Sequence, residues 1–115
     1  MTSALPIRAV AADVCVAAQL NPQAMAEVAA MGFRSVVNNR PDFEHGPDQP
    51  ANALIEAAAL AAGLAYRHLP VSGGYQSPEQ AQAMAQLLDE LPRPLLMFCR
   101  SGARSANLYR LASSR

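Results

Sequence analysis

The chain has no lysine, only two cysteines, and no aspartate or glutamate after position 99. It also has no apolar run approaching the roughly 18–20 residues that a membrane span needs. Two cysteines cannot build a disulfide framework. Cys15, within Val14-Cys15-Val16, reads as a buried structural thiol. A secretory leader is not expected, because Asp13 interrupts the apolar stretch over residues 9–18. A reducing cytoplasm is therefore the expected location for a chain that depends on a free thiol. Formal net charge is zero, which gives no reason to expect nucleic acid or an acidic membrane as a partner. The exclusive use of arginine, together with abundant alanine, reads as genome composition. The positions of those arginines carry more information: Arg100, Arg104, Arg110 and Arg115 make the C-terminal segment locally basic.

What is present suits one small globular domain over residues 1–115. Half of the residues are apolar (51%) and 16% are charged, so a single hydrophobic core is within reach without staples. Residues 14–18 read as a short strand that pairs with residues 7–10. Asn21-Pro22 supplies an N-cap and a first-turn proline, Met25, Val28 and Ala29 form an apolar stripe, and Gly32 stops the helix. A strand over 33–37 leads into a polar loop through residue 50, where Pro41, Gly46 and Pro47 exclude regular structure through much of its length. An alanine-rich helix spans 51–62, and a strand over 64–71 ends before Gly73-Gly74. Ser77-Pro78-Glu79-Gln80 has the form of a capping box opening a helix to about Glu90. Strand 95–98, a cysteine loop and a helix from about Arg104 complete the chain.

This alternation predicts an α/β fold, a small parallel sheet flanked by helices. Ligands in such sheets sit beyond the carboxyl ends of the strands. Cys99, the 39–50 loop and residues 72–76 all follow strand ends, so they are expected to share one rim.

The segment Leu95-Leu96-Met97-Phe98-Cys99-Arg100-Ser101-Gly102-Ala103-Arg104-Ser105 concentrates the chemistry. A buried strand delivers one thiol into a glycine-containing loop at a helix N-terminus. Converging N–H groups, the helix dipole and guanidinium charge all favour thiolate and attract an anion. Cys99 is the candidate nucleophile. Arg104 stands where its charge opposes the helix dipole and therefore calls for an anion. Arg100, Ser101, Gly102 and Ala103 form the cradle, with Gly102 at positive φ. Ser105 is read as an N-cap, a donor to the Cys99 sulfur, or both.

The loop resembles those of two related groups, the cysteine phosphatases and the rhodanese sulfurtransferases. Residues 32–42, 62–71 and the cysteine loop together resemble the bacterial family called beta-lactamase hydrolase-like protein, phosphatase-like domain. That resemblance implies a cysteine phosphatase-like fold. It also implies an association with metallo-β-lactamase-like enzymes of sulfur metabolism, beside or fused to such a domain. The phosphatase pattern is His-Cys-x5-Arg, whereas four residues separate Cys99 from Arg104 here and Phe98 precedes the cysteine, as in rhodaneses. Phosphatases of this type also carry an aspartic acid that protonates the leaving alkoxide, a contribution of roughly 10²–10⁴-fold. Residues 72–77 contain no carboxylate, which leaves Asp42, Glu44 or His45 as the acid, with Asp42 first.

His68, inside a strand, reads as a satisfied core or edge histidine. Two distant histidines and two separated cysteines make no metal-ligand pattern, so neither metal nor other cofactor is expected. Three functions follow as expectations. The first is a sulfurtransferase carrying sulfane sulfur as a Cys99 persulfide. The second is a phosphatase working through phosphocysteine, and the third is an inactive anion-binding module docked to a partner enzyme. The expected substrate is a small anion: thiosulfate, a persulfide or a phosphoester.

Overall fold

The computed structural model describes residues 5–114; Arg115, counted above with the basic segment, lies outside them. Ten elements follow in chain order: β1 (Ile7–Ala11), β2 (Val14–Ala17), α1 (Ala24–Ala30), β3 (Ser35–Asn38), a 3₁₀ turn (Gly46–Asp48), α2 (Asn52–Ala61), β4 (Ala65–His68), α3 (Pro78–Glu90), β5 (Leu95–Phe98) and α4 (Ala103–Ser113). The five strands form one sheet in the order β1-β2-β5-β3-β4. β2, β5, β3 and β4 run parallel. β1 is antiparallel to β2, because the two intervening residues suffice for a hairpin but not for a crossover. The expected parallel sheet is thus correct for four strands and mixed at one edge.

β5 lies at the centre, and its alternation sorts the core. Leu95 and Met97 join Val14, Val16 and Val37 beneath Met84, Leu88 and Leu108 of α3 and α4. Leu96 and Phe98 face the opposite way, with Ala17 and Val36, against Met25, Val28, Ile55 and Ala59 of α1 and α2. A strand covered on both faces needs apolar residues at every position, which explains the uninterrupted Leu-Leu-Met-Phe run.

Three local readings differ in extent. α1 begins at Ala24, with Pro22 and Gln23 in a preceding turn; the Asn21 side chain still accepts the Ala24 N–H at 3.0 Å. β4 is shorter than expected because Pro70 has no N–H to continue a ladder. The chain nevertheless stays alongside β3, with N–H bonds from Leu69 to Asn38 O and from Val71 to Asn39 O, both 2.9 Å. Cys15 is half-buried, where full burial was expected, and that burial pushes its thiol up. The Ser77–Gln80 capping box forms as read, with both reciprocal bonds present.

Candidate active site

The sheet register delivers Cys99 to the middle of the rim. Phe98 pairs with Ala17 on one side and Asn38 on the other. One residue beyond, the Cys99 N–H donates to Ala17 O at 3.3 Å, while the Asn39 N–H donates to Phe98 O at 2.8 Å. The cysteine is thus fixed between two neighbouring strands before its loop begins. Gly102 allows the loop to close. It adopts φ +93°, and a Cβ there would stand 3.3 Å from the Ala17 carbonyl carbon and 3.2 Å from Arg8 Nη1. Its N–H reaches back to Cys99 Sγ at 3.1 Å.

Cys99 is buried. Burial alone pushes its thiol up, but hydrogen bonds outweigh it and hold the group below the usual thiol range. These come from the N–H groups of Ser105, Ser101 and Gly102. The first turn of α4 supplies part of this cradle, its N–H groups unclaimed by the helix itself. Gly102 is the N-cap, which places Ser105 inside the first turn and corrects its reading as a cap. The Ser105 hydroxyl donates to Asn39 Oδ1 at 2.8 Å. Arg100 and Ser101 are exposed at the outer edge; Arg100 is tied down through its carbonyl, which accepts the Gln19 N–H at 3.2 Å. Ala103 opens α4 and faces solvent.

The anion that Arg104 calls for is supplied by the protein. Glu44 accepts from Arg104 Nη1 at 2.9 Å through Oε2 and from Nη2 at 3.1 Å through Oε1. Glu44 Oε1 also accepts from Nε of the buried Arg40 at 2.9 Å, and Arg40 Nη1 donates onward to Gln19 Oε1 at 3.0 Å. Arg104 Nη1 is further held by Val71 O at 3.1 Å. Nε makes no hydrogen bond among the described residues, and with the second Nη2 proton it remains for an incoming oxyanion. Gly73 lies against this edge: a Cβ there would stand 3.5 Å from both Nε and Nη2. The bareness of Gly73 keeps that face of the guanidinium open.

Glu44 is held below the usual carboxylate range, first by the Arg104 hydrogen bonds and then, against the cost of its burial, by Arg40. It is therefore ionised near neutrality and poorly suited to donate a proton. Because the folded state lowers the pKa of this carboxyl, the clamp contributes stability at neutral pH, and that contribution is lost as pH falls through the lowered value. We expect the stability difference between the native protein and Glu44→Gln, read from denaturant midpoints, to shrink on acidification below the ordinary carboxylate range. A difference that stays constant with pH would contradict the clamp.

Asp42 has a local structural role, since its Oδ1 accepts the Asn52 N–H at 2.8 Å and caps the start of α2. The exposed His45 uses its backbone N–H to bond Gln49 Oε1 at 3.0 Å. His68 is satisfied, its Nε2 lying 2.9 Å from Arg40 O. Among the described residues, no group of three or more His, Cys, Asp or Glu is placed to hold a metal ion, and no helix is long and apolar enough to cross a membrane. Sequence reading missed Asn39, Arg40, Gln19 and Gly73 at this site. The one available signal was polar residues at the end of an apolar strand, where the rim of a parallel sheet gathers ligands.

Comparison with known proteins agrees with this geometry. The family model for "Beta-lactamase hydrolase-like protein, phosphatase-like domain" matches residues 6–115. A beta-lactamase hydrolase-like protein of Xylella fastidiosa (strain Temecula1) is 36% identical over 99 residues, covering 86% of this chain and 23% of its own length. The chain thus spans about a quarter of that relative. A solved structure from Neisseria meningitidis, described as a candidate phosphatase, superposes with a TM-score of 0.81 at 26% identity, covering 88% of this chain and 71% of that one. Tk-PTP in its active form shares the fold with a TM-score of 0.65 at 21% identity, covering 84% and 63%. The fold is that of the cysteine phosphatases.

Proposed function

The chain belongs to the beta-lactamase hydrolase-like protein, phosphatase-like domain family, and on that premise we propose that it is a sulfurtransferase working through a Cys99 persulfide. One observation carries this reading: the short loop aims its amides at a single sulfur atom, while Glu44 beside it is clamped by two guanidiniums and Asp42 is bonded to the Asn52 N–H. A ring of N–H groups from Ser101, Gly102 and Ser105 suits one added sulfur better than a phosphoryl group with three equatorial oxygens.

The steps balance without a further reactant. Cys99 Sγ attacks the outer sulfur of thiosulfate, the new S–S bond forms, and the donor S–S bond breaks with its electron pair leaving on sulfite. An acceptor such as cyanide or a small thiolate then attacks the outer sulfur, and Sγ departs as thiolate. Arg104 draws in the anionic donor through Nε and Nη2, with Arg100 at the entrance adding long-range attraction. Sulfite and thiolate leave without protonation, so the lack of an acid costs this reaction little. A reducing cytoplasm suits such a thiolate. The relatives matched are longer and are called beta-lactamase hydrolase-like, and the partner we propose is a metallo-β-lactamase-like enzyme.

The second reading, phosphoester hydrolysis through phosphocysteine, is favoured by the fold neighbours. It assigns the acid to Asp42, whose Oδ1 accepts the Asn52 N–H in this structure. The test supplies the native protein with thiosulfate and cyanide, and separately with an aryl phosphate. Sulfur transfer predicts thiocyanate, and a gain of one sulfur atom in intact mass after thiosulfate alone, reversed by reductant. Phosphate release that falls in Asp42→Asn, without any such mass gain, would replace the first reading by the second.

A further inference from the structure

We propose that a groove between α3 and α4 holds the uncharged body of the substrate, while its oxyanion head lies at Arg104 and Cys99. Ser77, the cap of α3, and Pro78, Ala81 and Gln82 of its first turns form one wall; Leu111 of α4 forms the other. The exposed Tyr75 completes the lining. The groove encloses about 580 Å³, the size of a small-molecule site. Its lining carries no charged side chain.

The polar groups between the walls are already committed to one another. Gln76 is buried; its Nε2 donates to Ser72 O at 2.6 Å, and its Oε1 accepts from Asn107 Nδ2. Asn107 Oδ1 in turn accepts from Arg110 Nη2 at 2.7 Å. These bonds leave the apolar surfaces of Pro78, Ala81 and Leu111 to select what enters. Leu111 is half-buried and belongs to neither core layer.

Two features join this groove to the anion site. Along α4, Arg104, Asn107 and Leu111 share one face on successive turns, so Leu111 stands about 10 Å further along the axis. Along the loop, only Gly73 and Gly74 separate the open edge of Arg104 from Tyr75. Neither carries a side chain to obstruct the path, and a Cβ at Gly74 would meet only Ser72 Oγ, at 3.9 Å. Charge is thus confined to one end, at Nε and Nη2 of Arg104, with neutral surface beyond. The matching ligand is an anion with one oxyanion head and an uncharged body of aryl size.

The group transferred rests on the sulfur-transfer reading above; given that reading, the donor is an organic thiosulfonate. Cys99 Sγ attacks its outer sulfur and a new S–S bond forms. The donor S–S bond breaks, and its electron pair leaves on the organic sulfinate without a proton.

The experiment measures protection of Cys99 from iodoacetamide by unreactive sulfonates on the native protein, with Cys15 resolved by peptide mass. Naphthalenesulfonate should protect at concentrations about tenfold lower than methanesulfonate, the scale of burying one aromatic body. Leu111→Ser makes one wall polar and Ala81→Gln narrows the groove. Each should bring that ratio to within about threefold, with methanesulfonate on the same variant as reference. If either variant does not fold, Tyr75→Ser, at an exposed position, should also lower the ratio. Equal protection by the two sulfonates, or a preference that survives these substitutions, would overturn the proposal. Sulfur transfer is read separately, as the gain of one sulfur atom from naphthalenethiosulfonate or thiosulfate. The expected ratio without any sulfur gain would support the groove and remove the sulfur-transfer reading. Sulfur gain without the ratio would keep that reading and remove the groove.

Discussion

Cys99→Ser should lower turnover by at least about a thousandfold while the protein remains folded. The oxygen is smaller than sulfur, so it fits the same space at the end of the strand without crowding its packing. Burial pushes the Cys99 thiol up, but the N–H groups of Ser101, Gly102 and Ser105 outweigh it and hold the group below the usual thiol range, which favours the thiolate. An alcohol lies far beyond the same three donors and stays protonated. Single-turnover mass measurement with thiosulfate checks the chemistry, since the variant should gain no sulfur. A denaturant midpoint close to that of the native protein checks the fold. Cys15→Ser is the internal control: its thiol is pushed up by burial, and its removal should leave turnover within about twofold.

Arg104→Ala should cost about 10²–10³ in kcat/KM, the scale associated with removing a preorganised oxyanion donor. The guanidinium does two things at once. It ties the cysteine loop to Glu44 and to Val71 O, and its Nε and Nη2 lie at the edge beside Gly73, where we propose the anionic donor binds. Arg104→Lys restores one charge but not the planar fork, so it should recover little of the loss. Steady-state kinetics on both variants, with the anionic donor varied at fixed acceptor, is the check. A lysine variant of near-native activity would mean that Arg104 serves only as a point charge. The Glu44→Gln comparison tests the other half of the clamp, because it frees Arg104 without removing it.

How much of this was legible in the chain differs by element. The central strand and its loop were readable because a doubly covered strand demands Leu-Leu-Met-Phe without a polar break, and because glycine beside an arginine-flanked cysteine has few other uses. The Ser77 capping box is local chemistry, and local chemistry is where sequence speaks most directly. The hairpin of β1 was visible as a pairing, but its antiparallel sense follows from the two-residue connection to β2. β4 was read too long because Leu69 and Val71 continue the strand-like pattern on either side of Pro70, which ends the ladder without changing the path.

The site shows the same division. Arg104 was read as requiring an anion, and the carboxylate it meets in the structure is Glu44, sixty positions away. That pairing depends on how Pro41, Gly46 and Pro47 route a loop, which no spacing rule encodes. Phe43, held at φ +62° between the bonded carboxylates of Asp42 and Glu44, shows how tightly that route is set. Asp42 and Glu44 look interchangeable as sequence; one caps α2 and the other joins two guanidiniums. Asn38 and Asn39 are likewise adjacent and identical, but strand alternation sends them to different neighbours. Asn38 bonds Asn52 on the α2 side, and Asn39 reaches Ser105 on the α4 side. Only the pairing of β3 with β5 decides which of them reaches Ser105.

The central claim is that Cys99 is a thiolate at neutral pH, stabilised by its loop. The most direct measurement is the ultraviolet thiolate absorbance of the native protein minus that of Cys99→Ser, followed from mildly acidic to alkaline pH. The account predicts a transition well below that of an ordinary cysteine, with the thiolate band already present near neutrality. A difference signal that emerges only in the alkaline range of a free thiol would contradict it.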